Sequence, residues 1–223
     1  MVKQEVLAAL DAVRGRYISG QELAAQLGVS RTAVWKAVAA LRRDGIPIKA
    51  VTNRGYTLAQ SADVLNAAAV AAQLDEATVK ALQIEVVDRL PGTNAALRSR
   101  ADAGAREGLV LIAQAQSAGR GRGGHSFYSP PGGLYMSILL RPEIGARQAV
   151  GLTAMAAVAA ARAAERLCGV PITIQWVTDL WKNGKKVCGP LPAAALDLET
   201  GMLDYPALGL GFNVAAQAPG WPA

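Results

Sequence analysis

The sequence predicts an α/β (α+β) chain in two parts: a small basic head of three helices and a strand hairpin, then a mixed-sheet body. Three observations carry this. The first 60 residues hold nine basic and four acidic side chains, a net of +5, while the whole chain is +6, so the other 163 residues are nearly neutral. Helical periodicity punctuated by glycines gives way near Ile46 to a β-branched hairpin pattern. Beyond residue 82, short strand-like runs alternate with glycine-rich loops and one long alanine-rich stretch. The boundaries read from this are a head at 1–60, a connecting helix or linker at 61–82 and a body at 83–223.

In the head, residues 2–13 fit a helix that Arg14-Gly15 ends. A second begins near Gly20, with Leu23 and Leu27 one turn apart, and Gly28 supplies a tight turn. Ser30 suits the N-cap of a third, in which Val34, Val38 and Leu41 form a buried stripe until Gly45. Ile46 to Val51, the turn Thr52-Asn53-Arg54-Gly55 and Tyr56-Thr57-Leu58 read as a two-stranded wing with Arg54 at its tip. The run Gln21 to Trp35 resembles bacterial winged helix-turn-helix domains. In such a fold Arg31, Thr32, Trp35 and Lys36 lie at the start of the recognition helix, where base edges and phosphates are met. A solubilising surface explains the charge equally well. A three-helix protein-binding domain is a further alternative, and Trp35 fits a core position as readily as a contact.

In the body, Val64, Leu65, Ala68 and Ala72 give 61–82 a helical spacing. Strands are expected at 83–87, 109–116, 134–140, 172–176, 186–187, 195–198 and 205–210, a loop over 88–94, a helix over 95–104 and a long buried helix over 149–167. The pattern predicts a mixed sheet with helices on one side. Hydrophobic residues are 52% and charged residues 18%, which excludes a disordered chain. Cys168, Cys188 and the single His125 have no metal-ligand spacing, so no metal site is expected, and such cysteine usage suits a reducing cytoplasm. The polar start Met-Val-Lys-Gln-Glu-Val is no signal peptide. The apolar run Ala149 to Ala161 is too short for a bilayer and is closed by Arg162, so no membrane partner is expected.

Gly119-Arg120-Gly121-Arg122-Gly123-Gly124 matches G-x-G-x-x-G, but His125-Ser126-Phe127-Tyr128-Ser129-Pro130-Pro131 follows instead of a helix, which argues against a dinucleotide fold. What remains is a loop whose backbone approaches a ligand closely, with two guanidinium forks suited to phosphate or carboxylate oxygens. Taken alone, a disordered basic loop explains it as well.

The loop stands in an ordered series: Pro91-Gly92-Thr93-Asn94, Gln114-Ala115-Gln116-Ser117-Ala118, Leu134 to Pro142, Gln175 to Leu180, Asn183 to Gly189 and Leu208 to Val214. As a set it resembles the biotin–protein ligases, specifically the repressor-type members with an N-terminal winged helix, over residues 1 to about 217. The resemblance implies that biotin and ATP are joined as biotinyl-adenylate, with magnesium accompanying ATP and no protein ligands assigned to it. The biotinyl group then passes to a lysine of the biotin carrier domain of a carboxylase. It also implies operator DNA bound by Arg31, Thr32, Trp35, Lys36 and Arg54, and a homodimer paired through the body's sheet. By the same resemblance Thr93, Asn94 and Gln116 hold biotin, and Arg120, Lys186 and Gly189 complete that site. Gly119, Gly121, Arg122, Phe127, Asp179 and Asn213 lie on the nucleotide, with Phe127 over adenine. Lys186, Arg120, Arg122 and Asp179 are the implied catalytic groups.

Several positions depart from the family pattern. Gln175 and Thr178 stand where a lysine and an asparagine are usual, and His125 where an arginine is common. Pro190-Leu191-Pro192-Ala193 replaces an aliphatic strand, and two prolines in a central strand are expected to remove ladder donors and displace Lys186. The turn Pro131 to Leu134 is one residue short, and the family continues past Ala223 into a small barrel, so a truncated chain is expected. These departures keep two other readings open: a transcription regulator with an impaired ligase-like body, and a lipoate-type acyl ligase.

Overall fold

The computed structural model describes residues 2–142, 144, 148–176, 178–193 and 207–214. The chain divides into two compact units, one running to Asp75 and one from Glu76.

The first unit holds α1 (Val2–Ala12), α2 (Gly20–Leu27), α3 (Arg31–Arg43), β1 (Ile48–Val51) and β2 (Gly55–Leu58). Val6, Leu7 and Leu10 of α1 meet Leu23 of α2, Val34, Val38 and Leu41 of α3, and Ile48 and Leu58 of the hairpin in one core. Each such side chain contributes about 1.5–3 kcal/mol on burial. Ser19 caps α2 reciprocally: its Oγ accepts from Glu22 N (3.1 Å), and its own N–H donates to the Glu22 carboxylate (2.9 Å). Those bonds hold the Glu22 carboxyl below its ordinary value. Ser30 caps α3 through Ala33 N (3.1 Å). Between the two helices Gly28 turns left-handed at φ 64°. At the wing, Ile18 exchanges backbone bonds with Tyr56 (2.9 and 2.8 Å). A Cβ on Gly55 would lie 2.1 Å from Ile18 O, so this position takes only glycine.

The expected helix over 61–82 is absent. Residues 62–66 form no helix or strand, and Ala62 and Val64 are buried in the head's core. Arg14 Nη1 donates to the Gln60 (3.2 Å) and Ala62 carbonyls, and Asn66 Nδ2 to Asp11 (3.2 Å). Helix begins only where Asn66 Oδ1 caps α4 (Ala67–Ala71), and α5 (Glu76–Ala81) is a separate short helix. Burial in the head thus overrides alanine's helical preference, and residues 61–75 belong with the first unit instead of forming a linker.

The second unit is built on a seven-stranded mixed sheet ordered β3-β4-β5-β9-β8-β7-β6. The strands are β3 (Gln83–Leu90), β4 (Leu109–Gln116), β5 (Leu134–Leu139), β6 (Thr173–Gln175), β7 (Asp179–Lys182), β8 (Lys185–Ala193) and β9 (Ala207–Phe212). Helix α6 (Thr93–Asp102) crosses from β3 to parallel β4, starting two residues earlier than expected, and α7 (Ala149–Cys168) follows β5. The expected strand at 195–198 lies outside the described residues, as do positions 205 and 206.

Strand alternation places the helices on opposite faces, not on one. Leu111, Ser137, Gly209 and Leu191 are cross-strand neighbours and share a face. On that face Leu97 and Ala101 of α6 pack with Leu109, Leu111, Leu139 and Ala207. On the other, Ala157, Ala160 and Ala161 of α7 pack with Leu180, Cys188, Leu210 and Phe212. Nor is α7 buried all round: Met155 is 66% exposed and Leu167 85%. Its alanine-rich stripe suffices to cover the sheet, and its outer side faces solvent.

The prolines do not break β8. Asn213 N donates to Val187 O at 2.8 Å, which makes Cys188↔Phe212, Pro190↔Leu210 and Pro192↔Leu208 the non-hydrogen-bonded pairs of the ladder. Pro190 and Pro192 therefore turn their nitrogens away from β9. On that side β7 pairs only with Lys185 to Cys188, so neither proline costs a ladder bond, and β8 runs unbroken through Lys186.

Candidate functional site

A cavity of about 540 Å³ opens on the α6 face of the sheet, lined by residues of α6, β4, the loop after it, β7, β8 and β9. Thr93, Asn94, Gln116, Arg120, Gly121, Arg122, Phe127, Asp179, Lys186 and Gly189 all line it. Gly119 and Asn213 do not. A Cβ on Gly119 would lie 2.5 Å from Phe127 O and 2.6 Å from Ser129 Oγ, so this glycine serves close packing of the loop's base. Asn213 instead holds β8, through Val187 O and through Nδ2 on Lys186 O (3.3 Å).

One end of the cavity is polar and uncharged. The Thr93 N–H, first in α6, donates to Gln116 Oε1 (2.8 Å), and Gln116 Nε2 donates to Ser129 Oγ (2.8 Å). Ser137 Oγ lies 2.8 Å from Thr93 Oγ1 and 2.7 Å from Asn94 Oδ1. Asn94 Nδ2 donates to Leu191 O (3.0 Å). Thr93, Ser129 and Ser137 are buried, so each polar atom needs such a partner.

The other end is cationic. Lys186 Nζ pairs with Asp179 Oδ2 at 2.7 Å, and Thr178 Oγ1 donates to Asp179 Oδ1 (3.3 Å). The lysine passes over Gly189, where a Cβ would lie 3.2 Å from its Cε. Beneath the sheet, burial pushes the Cys188 thiol up to about 12. Arg120 and Arg122 are exposed on the glycine loop. That loop is a tight hairpin: Gly121 N donates to His125 O (2.8 Å), Arg120 bridges Ser126, and Arg120 Nη1 rests on Gly124 O (3.1 Å). The glycine run ends in a three-residue turn (Arg122–Gly124), and loop instead of helix follows it to β5, which agrees with rejecting a dinucleotide motif.

Phe127 forms one wall. Its ring covers Gly211, where a Cβ would lie 2.7 Å away, and meets Tyr135 edge-on at 6.3 Å. Tyr135 is fully buried and donates to Pro130 O (2.8 Å); burial first, then Tyr128, pushes its hydroxyl up to about 12. Ser129, Tyr135, Ser137, Gly209 and Gly211 were all passed over as site residues in the sequence. Ser137 and Gly209 carried a usable signal, a polar residue and a glycine at inward positions of core strands.

In the head, a groove of about 750 Å³ runs between the start of α2, α3 and the wing. Arg31, Thr32 and Trp35 line it. Trp35 is 61% exposed, so the core alternative for it falls. Lys36 is exposed on α3 beside the groove without lining it. Arg54 folds back over the Tyr17 ring, 4.2 Å from its centroid. Among the described residues no group of three or more His, Cys, Asp or Glu is set to hold a metal, and no helix is long and apolar enough to cross a membrane.

A winged helix-turn-helix whose groove carries Arg31, Thr32 and Trp35, and a mixed sheet with a cavity on one face, are the two parts of the chain. Residues 3–57 match the model of an HTH domain, and residues 86–212 that of the biotin/lipoate A/B protein ligase family. The chain is 32% identical over 222 residues to the bifunctional ligase/repressor BirA of Bacillus spizizenii, spanning 99% of this chain and 67% of that one. It is 33% identical over 202 residues to BirA of Escherichia coli, spanning 90% and 60%. A biotin protein ligase from Aquifex aeolicus, solved in complex with biotin and ATP, superposes with a TM-score of 0.50 at 27% identity, over 61% of this chain and 55% of that one. The chain belongs to the biotin/lipoate A/B protein ligase family, and within it to the bifunctional ligase/repressors.

Proposed function

We propose that this chain joins biotin to ATP as biotinyl-5′-AMP, passes the biotinyl group to a carrier lysine, and represses transcription by binding operator DNA through its head. The observation that carries this reading is one cavity with an uncharged hydrogen-bonding end and a cationic end. Thr93, Asn94 and Gln116 would hold the ureido ring. Arg120, Arg122 and Lys186 would surround the place where two anions must meet. A biotin carboxylate oxygen attacks the α-phosphorus and pyrophosphate leaves. The carrier lysine's amine then attacks the biotinyl carbonyl, loses a proton, and AMP leaves. Fixed cations stabilise the charge that develops in both steps, each by about 3 kcal/mol. Phe127 would cover the adenine, and the glycine loop would exclude water from the anhydride. Asp179, the cavity's one carboxylate among the described residues, is paired with Lys186, so magnesium would enter on the ATP phosphates.

The partners of this reading are operator DNA, a carboxylase's biotin carrier domain and a second copy of the chain, in the cytoplasm. Arg31, Thr32 and Trp35 would meet the DNA across the groove, with Lys36 and Arg54 on phosphates. A second reading, a regulator that binds biotin without turnover, is favoured by one observation: Thr178 is buried with its hydroxyl on Asp179, where the family's asparagine amide would offer more donors. Labelled-biotin transfer to a carrier domain tests the first reading, with biotin binding measured by calorimetry beside it. Transfer supports the ligase, binding without transfer supports the regulator, and neither defeats both. A gel-shift titration tests the head: Lys36→Ala should weaken binding and lower its salt slope by about one. Salt-insensitive or absent binding by the unmodified chain would refute the repressor assignment.

A further inference from the structure

Asn94 lies across a cross-strand row. Ser137 of β5, Gly209 of β9 and Leu191 of β8 stand side by side in register. The Asn94 amide lies over the middle one: a Cβ on Gly209 would come within 2.5 Å of both its nitrogen and its oxygen. A backbone carbonyl only accepts, so the bond to Leu191 O (3.0 Å) assigns the nitrogen to that side. The oxygen then faces Ser137 Oγ at 2.7 Å, and Ser137 is wholly buried. Asn94 Oδ1 carries no proton, so the Ser137 hydroxyl proton is the one that fills this bond. Ser137 Oγ is left to accept from Thr93 Oγ1, 2.8 Å away.

We infer that Ser137 is a specificity-determining residue that fixes which way the Asn94 amide faces, so that Asn94 offers the cavity a donor only. Its oxygen is taken by Ser137 and one amide proton by Leu191. The second amide proton is what a ligand meets. A urea carbonyl oxygen satisfies it; a group that presents only N–H leaves it unpaired. This inference rests on the biotin reading and says how the site recognises the ring. Ser137 touches no ligand in this account and acts through Asn94, as a positioning residue. Removing its hydroxyl frees the amide oxygen, so the amide can turn and accept from a ligand N–H.

The probes are biotin, desthiobiotin, which keeps the urea, and 2-iminobiotin at neutral pH, where a protonated guanidinium replaces the urea carbonyl with N–H donors alone. Their affinities are measured by calorimetry on the full chain and on Ser137→Ala, a change that deletes one buried hydroxyl with little change in volume. The unmodified chain should prefer biotin and desthiobiotin to 2-iminobiotin. Ser137→Ala should weaken biotin and desthiobiotin roughly tenfold while 2-iminobiotin holds its affinity or gains, so the preference shrinks. An equal loss for all three ligands would mark Ser137 as merely structural and overturn the inference, as would unchanged affinities. If Ser137→Ala fails to fold, Ser137→Cys carries the same comparison with a weaker donor and a smaller expected shift. An unmodified chain that binds neither biotin nor desthiobiotin refutes the biotin reading itself, which separates that failure from this one.

Discussion

Lys186 Nζ and Asp179 Oδ2 sit 2.7 Å apart at the cationic end of the cavity, on adjacent strands β8 and β7. Their side chains are 41% and 25% exposed, so the pair adds at most about 1 kcal/mol to stability. Its consequence lies in positioning. The carboxylate holds the ammonium over Gly189, and an incoming anion must share it.

Removing either charge should therefore act on chemistry more than on folding. Lys186→Ala should slow adenylate formation by roughly a hundredfold or more, read as pyrophosphate release, with the thermal midpoint nearly unchanged. Asp179→Asn keeps the shape but releases the lysine, and should slow the same step less. A large drop in midpoint for either variant would assign the pair a structural role.

Arg120 and Arg122 lie exposed on a loop of glycines, which loses much entropy when it closes on a ligand. Trypsin should cut the free protein after one of them, and biotinyl-5′-AMP should protect. Cutting at the same rate with and without the adenylate would mean that the loop does not close.

The prolines of β8 lead to a changed expectation. Because their nitrogens face away from β9, replacing them adds donors only on the flank where β7 has ended. Pro192→Thr, at an exposed position that does not line the cavity, should leave biotin transfer within about twofold of the unmodified chain. The same variant should self-associate more readily by light scattering, since a donor at exposed position 192 invites strand pairing. A marked rise in transfer would restore the view that the prolines displace Lys186.

The two thiols should differ in reactivity. Cys168 is exposed and Cys188 is buried with its thiol pushed up to about 12. One equivalent of a thiol reagent should react quickly at pH 8, and the second only on unfolding. The sign of the linkage follows: between the unfolded thiol value, near 9, and about 12, the unfolded chain loses a proton that the folded chain keeps. Stability contributed by the neutral Cys188 is full below that window and falls as pH rises through it. Cys188→Ala should flatten this alkaline decline in urea melts; an unchanged slope would assign it to other groups.

The head was legible almost residue by residue, because its helix stops, caps and apolar stripes are local signals. Ser30, Gly28 and the Val34, Val38, Leu41 stripe all stand where spacing alone put them. The connecting helix was misread because Ala62 and Val64 answer to the head's core, a tertiary demand that alanine content conceals. The prolines were misread for a related reason. Their cost depends on ladder phase and on where the neighbouring strand stops, and neither is written in β8 itself. In the cavity, the charged and amide residues were visible as motif members. Ser137 and Gly209 stood inside the same motif runs, but their part in the cavity comes from a strand register that links positions 72 residues apart.

The strap formed by residues 60 to 66 bears on how the head is to be isolated. A fragment cut after residue 60 would lose Ala62 and Val64 from its apolar centre and the Ala62 carbonyl from beneath Arg14. It would also leave Asp11 without its bond from Asn66. A fragment carried to Asp75 keeps all three, so the smallest piece that holds the head's core whole is set by a segment that does not line the groove.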